Sequence, residues 1–112
     1  MSAYGPIETV KVYGWLLDNA GKPVVGKRVE AFATKEEIFH ITKKASIHRS
    51  VIATTTNSDG YWELDIISTD DIIPVETKYI FRFGERDSYI AAVPKEQSEY
   101  NFADLDYDVG WE

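Results

Sequence analysis

Hydrophobic and polar positions alternate with a period of two along most of the chain, the signature of half-buried β-strands. In "VKVYGWLLD", Val10, Val12, Gly14 and Leu16 fall on one face and Lys11, Tyr13, Trp15 and Leu17 on the other. The first set predicts an aliphatic inner face. The second carries two large aromatic rings, more than a solvated face requires. "GKRVEAFAT" repeats the pattern, with Val29, Ala31 and Ala33 against Arg28, Glu30 and Phe32. Its small alanines predict close packing between sheets. "YWELDII" sets Trp62, Leu64 and Ile66 against Tyr61, Glu63, Asp65 and Ile67, and "KYIFRFG" sets Tyr79, Phe81 and Phe83 against Ile80 and Arg82. "SYIAAVP" reads as a further strand, stopped by Pro94.

The segments between are less regular. "KEEIFHITKKASIHRSVIATTT" reads as two strands rich in β-branched residues, broken near Lys43-Lys44-Ala45, with a short helix in the break as the competing assignment. "STDDIIPVET" reads as a loop. The tail "KEQSEYNFADLDYDVGWE" has no convincing period; Phe102 and Leu105 are expected to tuck against the body. About seven short antiparallel strands separated by turn formers predict an all-β fold, a single β-sandwich. The expected division is a lead of residues 1–7, a sandwich domain over 8–105 and a C-terminal arm over 106–112.

Two polar stretches punctuate this pattern. "DNAGKPV" holds the turn formers Asp18, Asn19, Gly21 and Pro23. Asn57-Ser58-Asp59-Gly60 has oxygen-bearing side chains before a glycine, which suits either a calcium ion or a tight hairpin. One carboxylate and no well-spaced bidentate glutamate favour the turn.

Composition narrows the function classes. With 112 residues, 44% of them hydrophobic, the chain is long and apolar enough for one folded core but not two. A formal net charge of -7 argues against nucleic acid or an anionic membrane surface as partner. There is no cysteine, which removes disulfides and thiolate chemistry, and two histidines would leave a zinc site to be built mostly from carboxylates. No cofactor is expected. "MSAYGPIETVKVYG" lacks the basic start and apolar core of a signal peptide, and no apolar run approaches the roughly 20 residues of a membrane helix. The expectation is a protein that stays in the cytoplasm unless carried out within a larger particle.

The ordered motifs resemble a known family. Gly14 and Leu16 close the first strand; Asp18, Gly21, Pro23, Val24 or Val25 and Gly26 form an Asp-x-x-Gly-x-Pro-Val-x-Gly turn; Thr56, Asp59, Gly60 and Tyr61 or Trp62 form a Thr-x-x-Asp-Gly-x-aromatic hairpin. Over residues 8 to 93 this is similar to the carboxypeptidase-regulatory-like, transthyretin-like β-sandwich family, which implies an Ig-like, transthyretin-like sandwich. The order "TTNSDGYWELDI", "DIIP", "TKYIFRFG", "YIAAVP", "FADL" resembles modules of tailed-phage and prophage virion proteins. That resemblance implies a virion accessory or structural role, in capsid decoration, a fibre or a tail, assembled in the host cytoplasm. The hydroxyisourate hydrolase branch of the family ends in Tyr-Arg-Gly-Ser, whereas this chain ends Asp108-Val109-Gly110-Trp111-Glu112, so that activity is not carried over.

Other candidate chemistry is sparse. His40 and His48 suit a base or ligand role, with Ser46 and Ser50 near His48, but no triad spacing is present. Lys11 sits where adhesin relatives form a Lys–Asn isopeptide bond, yet its parity places it with Tyr13 and Trp15, off the aliphatic face. Those two aromatics fit either a second covered face or a protein interface, where Trp and Tyr are enriched. Tyr107, Val109 and Trp111 fit either a frayed end or an arm docking on a neighbour. The sequence therefore predicts a non-enzymatic protein that binds capsid or tail subunits through Tyr13, Trp15, Tyr107, Val109 and Trp111 and self-associates into a homo-oligomer. The alternative is a carbohydrate-binding or cell-surface-binding module.

Overall fold

The structure, a computed structural model, describes residues 7–84 and 87–109. Its regular elements are almost all strands: β1 (Val10–Trp15), β2 (Arg28–Ala33), β3 (Glu37–His40), β4 (Ser46–His48), β5 (Ile52–Thr55), β6 (Tyr61–Ile66), β7 (Ile72–Ile73), β8 (Tyr79–Phe83), β9 (Asp87–Ala91), β10 (Glu99–Asn101) and β11 (Tyr107–Val109). Single 3-10 turns at Thr69–Asp71 and Phe102–Asp104 are the helical content among the described residues. None of these is long and apolar enough to cross a membrane.

The strands form a three-stranded sheet ordered β10-β1-β6, a five-stranded sheet ordered β11-β9-β8-β2-β5, and a small sheet ordered β4-β3-β7. Pairing is antiparallel except between β1 and β10. The first two sheets enclose the core. Val10, Val12 and Gly14 of β1 lie opposite Ile66, Leu64 and Trp62 of β6, and Val29, Ala31 and Ala33 of β2 lie opposite Phe83, Phe81 and Tyr79 of β8. All of these side chains are buried, as alternation predicts. The alanines are small because each faces a large ring across the strand pair. Gly14 is small for a related reason: a Cβ there would come within 3.1 Å of the Trp62 indole. Burying Phe81 completely is worth about 2–3 kcal/mol.

Eleven strands appear among the described residues where the sequence suggested about seven. The surplus comes from β4, β7, β10 and β11, of two or three residues each, too short for a period to show. "STDDIIPVET" holds a 3-10 turn and β7 rather than plain loop. The break at Lys43-Lys44-Ala45 is a tight turn, not a helix: Lys44 takes a φ of 57°, and the His40 and Lys44 amides donate to the Ala45 and His40 carbonyls. Phe102 packs on the core and Leu105 is buried within it. Tyr107–Val109, placed by the sequence in an arm, pairs with β9 in the chain's own five-stranded sheet.

The two polar turns share one construction. Asp18 Oδ1 accepts from the Ala20 and Lys22 amides at 2.8 and 3.0 Å, and Asn57 Oδ1 accepts from the Asp59 and Tyr61 amides at 2.8 and 3.0 Å. In each the glycine amide three residues on donates back to the first carbonyl, and Gly21 and Gly60 take φ of 80° and 78°. Asn57-Gly60 is thus a turn whose oxygens serve the backbone. Gly60 has a second constraint, since a Cβ there would fall 2.5 Å from the Leu16 carbonyl oxygen. The Leu16 amide in turn donates to the Gly60 carbonyl at 2.8 Å, so the turn fixes the exit of β1.

Candidate protein-binding face

Alternation along β1 sends Lys11, Tyr13 and Trp15 outward. The β1–β6 register places Tyr61 opposite Trp15, Glu63 opposite Tyr13 and Asp65 opposite Lys11. Three rings thereby meet on the outer surface. Trp15 lies 5.8 Å from Tyr13 edge-on and 5.1 Å from Tyr61, with Tyr13 and Tyr61 6.2 Å apart. Trp15 is 54% exposed, although a ring that size is usually covered. Of the three, Tyr61 is anchored by polar neighbours. The Tyr61 hydroxyl donates to Glu63 Oε1 at 2.8 Å, and Lys11 Nζ lies 3.6 Å from Glu63 Oε2. Desolvation, followed by the hydrogen bond to Glu63, pushes the Tyr61 phenol up to about 12, so it stays a neutral donor. Lys11 is exposed to water and paired with Glu63, which does not place it in a buried isopeptide setting.

Trp15 also stands at the rim of a crevice of about 200 Å³ at the end of the sandwich where β1 exits. Tyr107 stands on the same crevice, and Trp62, Phe83, Tyr89 and Phe102 line it. Tyr107 stacks on Phe102 with ring centres 5.0 Å apart and planes 11° from parallel. The opposite end is closed by the small sheet, where Ile38 and Ile47 pack on the core.

Of the five sequence-predicted contact residues, the structure joins Tyr13 to Trp15 by ring contact and Trp15 to Tyr107 across the crevice. Val109 sits in β11 opposite Tyr89, with its side chain outside the described residues, and Trp111 lies outside them altogether. Tyr61 is the member sequence reasoning left out. Parity put it on the outer side of β6, but its place beside Trp15 depends on the strand register, which the sequence does not display.

The other outer face was not singled out from sequence. On the five-stranded sheet, Glu30 of β2 accepts from Arg28 Nε at 2.6 Å and from Arg82 Nε at 2.8 Å. These hydrogen bonds, Arg28 first and Arg82 second, hold the Glu30 carboxyl below the usual carboxylate range. The guanidiniums of Arg49 and Arg82 lie over the Phe32 ring at 5.2 and 5.3 Å from its centre.

The two histidines sit in different settings. His40 is buried, its Nδ1 accepts from the Lys43 amide at 3.1 Å, and its Nε2 faces Asp71 Oδ2 at 4.0 Å. Asp71 is paired in turn with Lys95 Nζ at 3.2 Å, whose pKa it raises. His48 is exposed on β4. No group of three or more His, Cys, Asp or Glu suited to a metal ion occurs among the described residues.

The chain matches no protein-family model and no curated protein.

Proposed function

We propose that this chain is a non-enzymatic structural or accessory protein of a tailed-phage virion, a capsid decoration or tail component, that holds neighbouring virion subunits. The observation that carries the binding role is the Tyr13–Trp15–Tyr61 cluster: three mutually packed rings on an outer sheet face, with Trp15 more than half exposed. Covering such a ring at an interface contributes on the order of 2 kcal/mol, and clustered aromatics form the anchors of protein contacts. Pre-organisation favours the same role, since strand pairing sets the three residues side by side and the Glu63 hydrogen bond holds Tyr61 before any partner arrives. The virion setting is supported by the resemblance of the turn and strand motifs to transthyretin-like modules of phage particles. In a particle with repeated sites, weak contacts multiply into a firm hold through effective concentration.

The test is co-sedimentation of the purified chain with particles of the phage that encodes it, for the wild type and Trp15→Ala. The proposal expects retention of the wild type and loss of the variant, with the variant still melting in one cooperative transition. Equal retention of both removes the aromatic face from the account. A second reading, carbohydrate binding, is favoured by the Glu63 carboxylate beside the rings, an arrangement that stacks and hydrogen-bonds a sugar. Glycan-array binding abolished by Trp15→Ala, without particle binding, would select it.

A further inference from the structure

Among the described side chains, the two outward faces of the sandwich differ in sign. On the three-stranded sheet the register sets Glu63 opposite Tyr13, next to Trp15 and Tyr61, and sets Asp65 and Glu99 on either side of Lys11, the one cation among the described side chains of that face. On the five-stranded sheet Arg28 and Arg82 share the Glu30 carboxylate, and Arg82 and Arg49 lie over the Phe32 ring, with Arg49 Nε donating to the Ala33 carbonyl at 2.9 Å. The side chains of Arg28 and Arg82 remain 60% and 39% exposed while bonded to Glu30. Guanidiniums held this way offer flat, pre-positioned planes, the surface on which Trp and Tyr rings stack.

We propose that the partner covering the aromatic face is a second copy of this chain, presenting its arginine face. The contact is heterologous: the acidic aromatic surface of one copy meets the basic surface of the next, and copies add face to back. This rests on the reading of the chain as a subunit-holding module and names the subunit. Trp15 and its neighbouring tyrosines stack on the exposed guanidinium planes, and the surplus carboxylates of that face meet the surplus arginines. The net charge of -7 opposes association through the rest of the surface. The free chain therefore associates weakly, with a Kd on the order of 100 µM.

Two measurements on the full chain test this. Sedimentation velocity from about 10 µM to 1 mM is expected to show reversible dimers and larger species, with Trp15→Ala weakening association at least about tenfold. Partner geometry is read by cross-linking, which is unambiguous because the chain has no cysteine. Leu17→Cys marks the aromatic face, Leu17 being exposed and two positions on from Trp15, and Thr55→Cys marks the arginine face, where Thr55 lies opposite Arg28. A flexible bismaleimide is expected to join the two variants on mixing and to leave each alone mostly monomeric. A monomer throughout the concentration range overturns the inference, as do cross-links formed mainly within one variant. A chain that stays monomeric yet co-sediments with the particle overturns this inference and leaves the subunit-holding role standing.

Discussion

Aromatic rings on the two outward faces meet opposite fates. Phe32, on the five-stranded sheet, is half-buried beneath the guanidiniums of Arg49 and Arg82, and Glu30 ties Arg28 and Arg82 in place. The ring there is covered within the chain, under guanidiniums that themselves remain part-exposed. Trp15, on the three-stranded sheet, touches Tyr13 and Tyr61 but has no guanidinium or ammonium over its ring among the described residues, and remains 54% exposed. The same kind of residue is therefore covered by the chain's own side chains on one face and left open to solvent on the other. An exposed apolar residue alone says little about binding. The contrast between a covered ring and a bare one on the same scaffold says more.

Substitutions on the two faces should separate accordingly. Trp15→Ala is expected to weaken particle binding by about 2–3 kcal/mol, the range of an aromatic anchor, while lowering folding stability by only about 1 kcal/mol, the loss of its contacts with Tyr13 and Tyr61. Denaturant titration beside a binding isotherm measures both. Glu30→Ala should lower folding stability by about 1.5–3 kcal/mol, because Arg28 and Arg82 lose a charged hydrogen-bond acceptor that is nearly buried. Phe32→Ala should cost about 1–2 kcal/mol, since half a ring and two cation–π contacts disappear.

The pH dependence follows from the same pairs. The folded Glu30 carboxyl titrates below its ordinary value of 4.5. Its stabilisation is complete above that value and is lost as pH falls through the lower folded value, so Glu30→Gln should flatten the acid limb of a melting-temperature profile. Tyr61 has the opposite sign. Its phenol is raised from 10.0 to about 12, so the folded state holds the proton longer and stability declines as pH rises between those values. Tyr61→Phe should remove part of that alkaline decline, with an effect on neutral-pH stability of less than about 0.5 kcal/mol. Burial likewise raises Tyr79 to about 12, and its share of the decline should remain in that variant.

The sequence revealed most of what alternation controls. The inner faces of β1, β2, β6 and β8 are the ones period two selects, because each strand is long enough to show several cycles and one side is fully buried. The turns at Asp18–Gly21 and Asn57–Gly60 were legible because side-chain oxygens and positive-φ glycines leave a local mark. Short strands such as β7 and β10 left none; they exist because a longer neighbour supplies the ladder. The binding face was half legible. Tyr13 and Trp15 stood out within one strand. Tyr61 joined them only through the β1–β6 register, and the arginine cluster gathers β2, β8 and the segment after β4, whose proximity is set by tertiary structure.

The most direct measurement is hydroxyl-radical footprinting of the chain free in solution and bound to its particle, read residue by residue at the aromatic rings. The account predicts that oxidation of Trp15, Tyr13 and Tyr61 falls several-fold on binding, while exposed Phe39 on the small sheet reacts equally in both states. Trp15 oxidised to the same extent in the bound and free chain would contradict it.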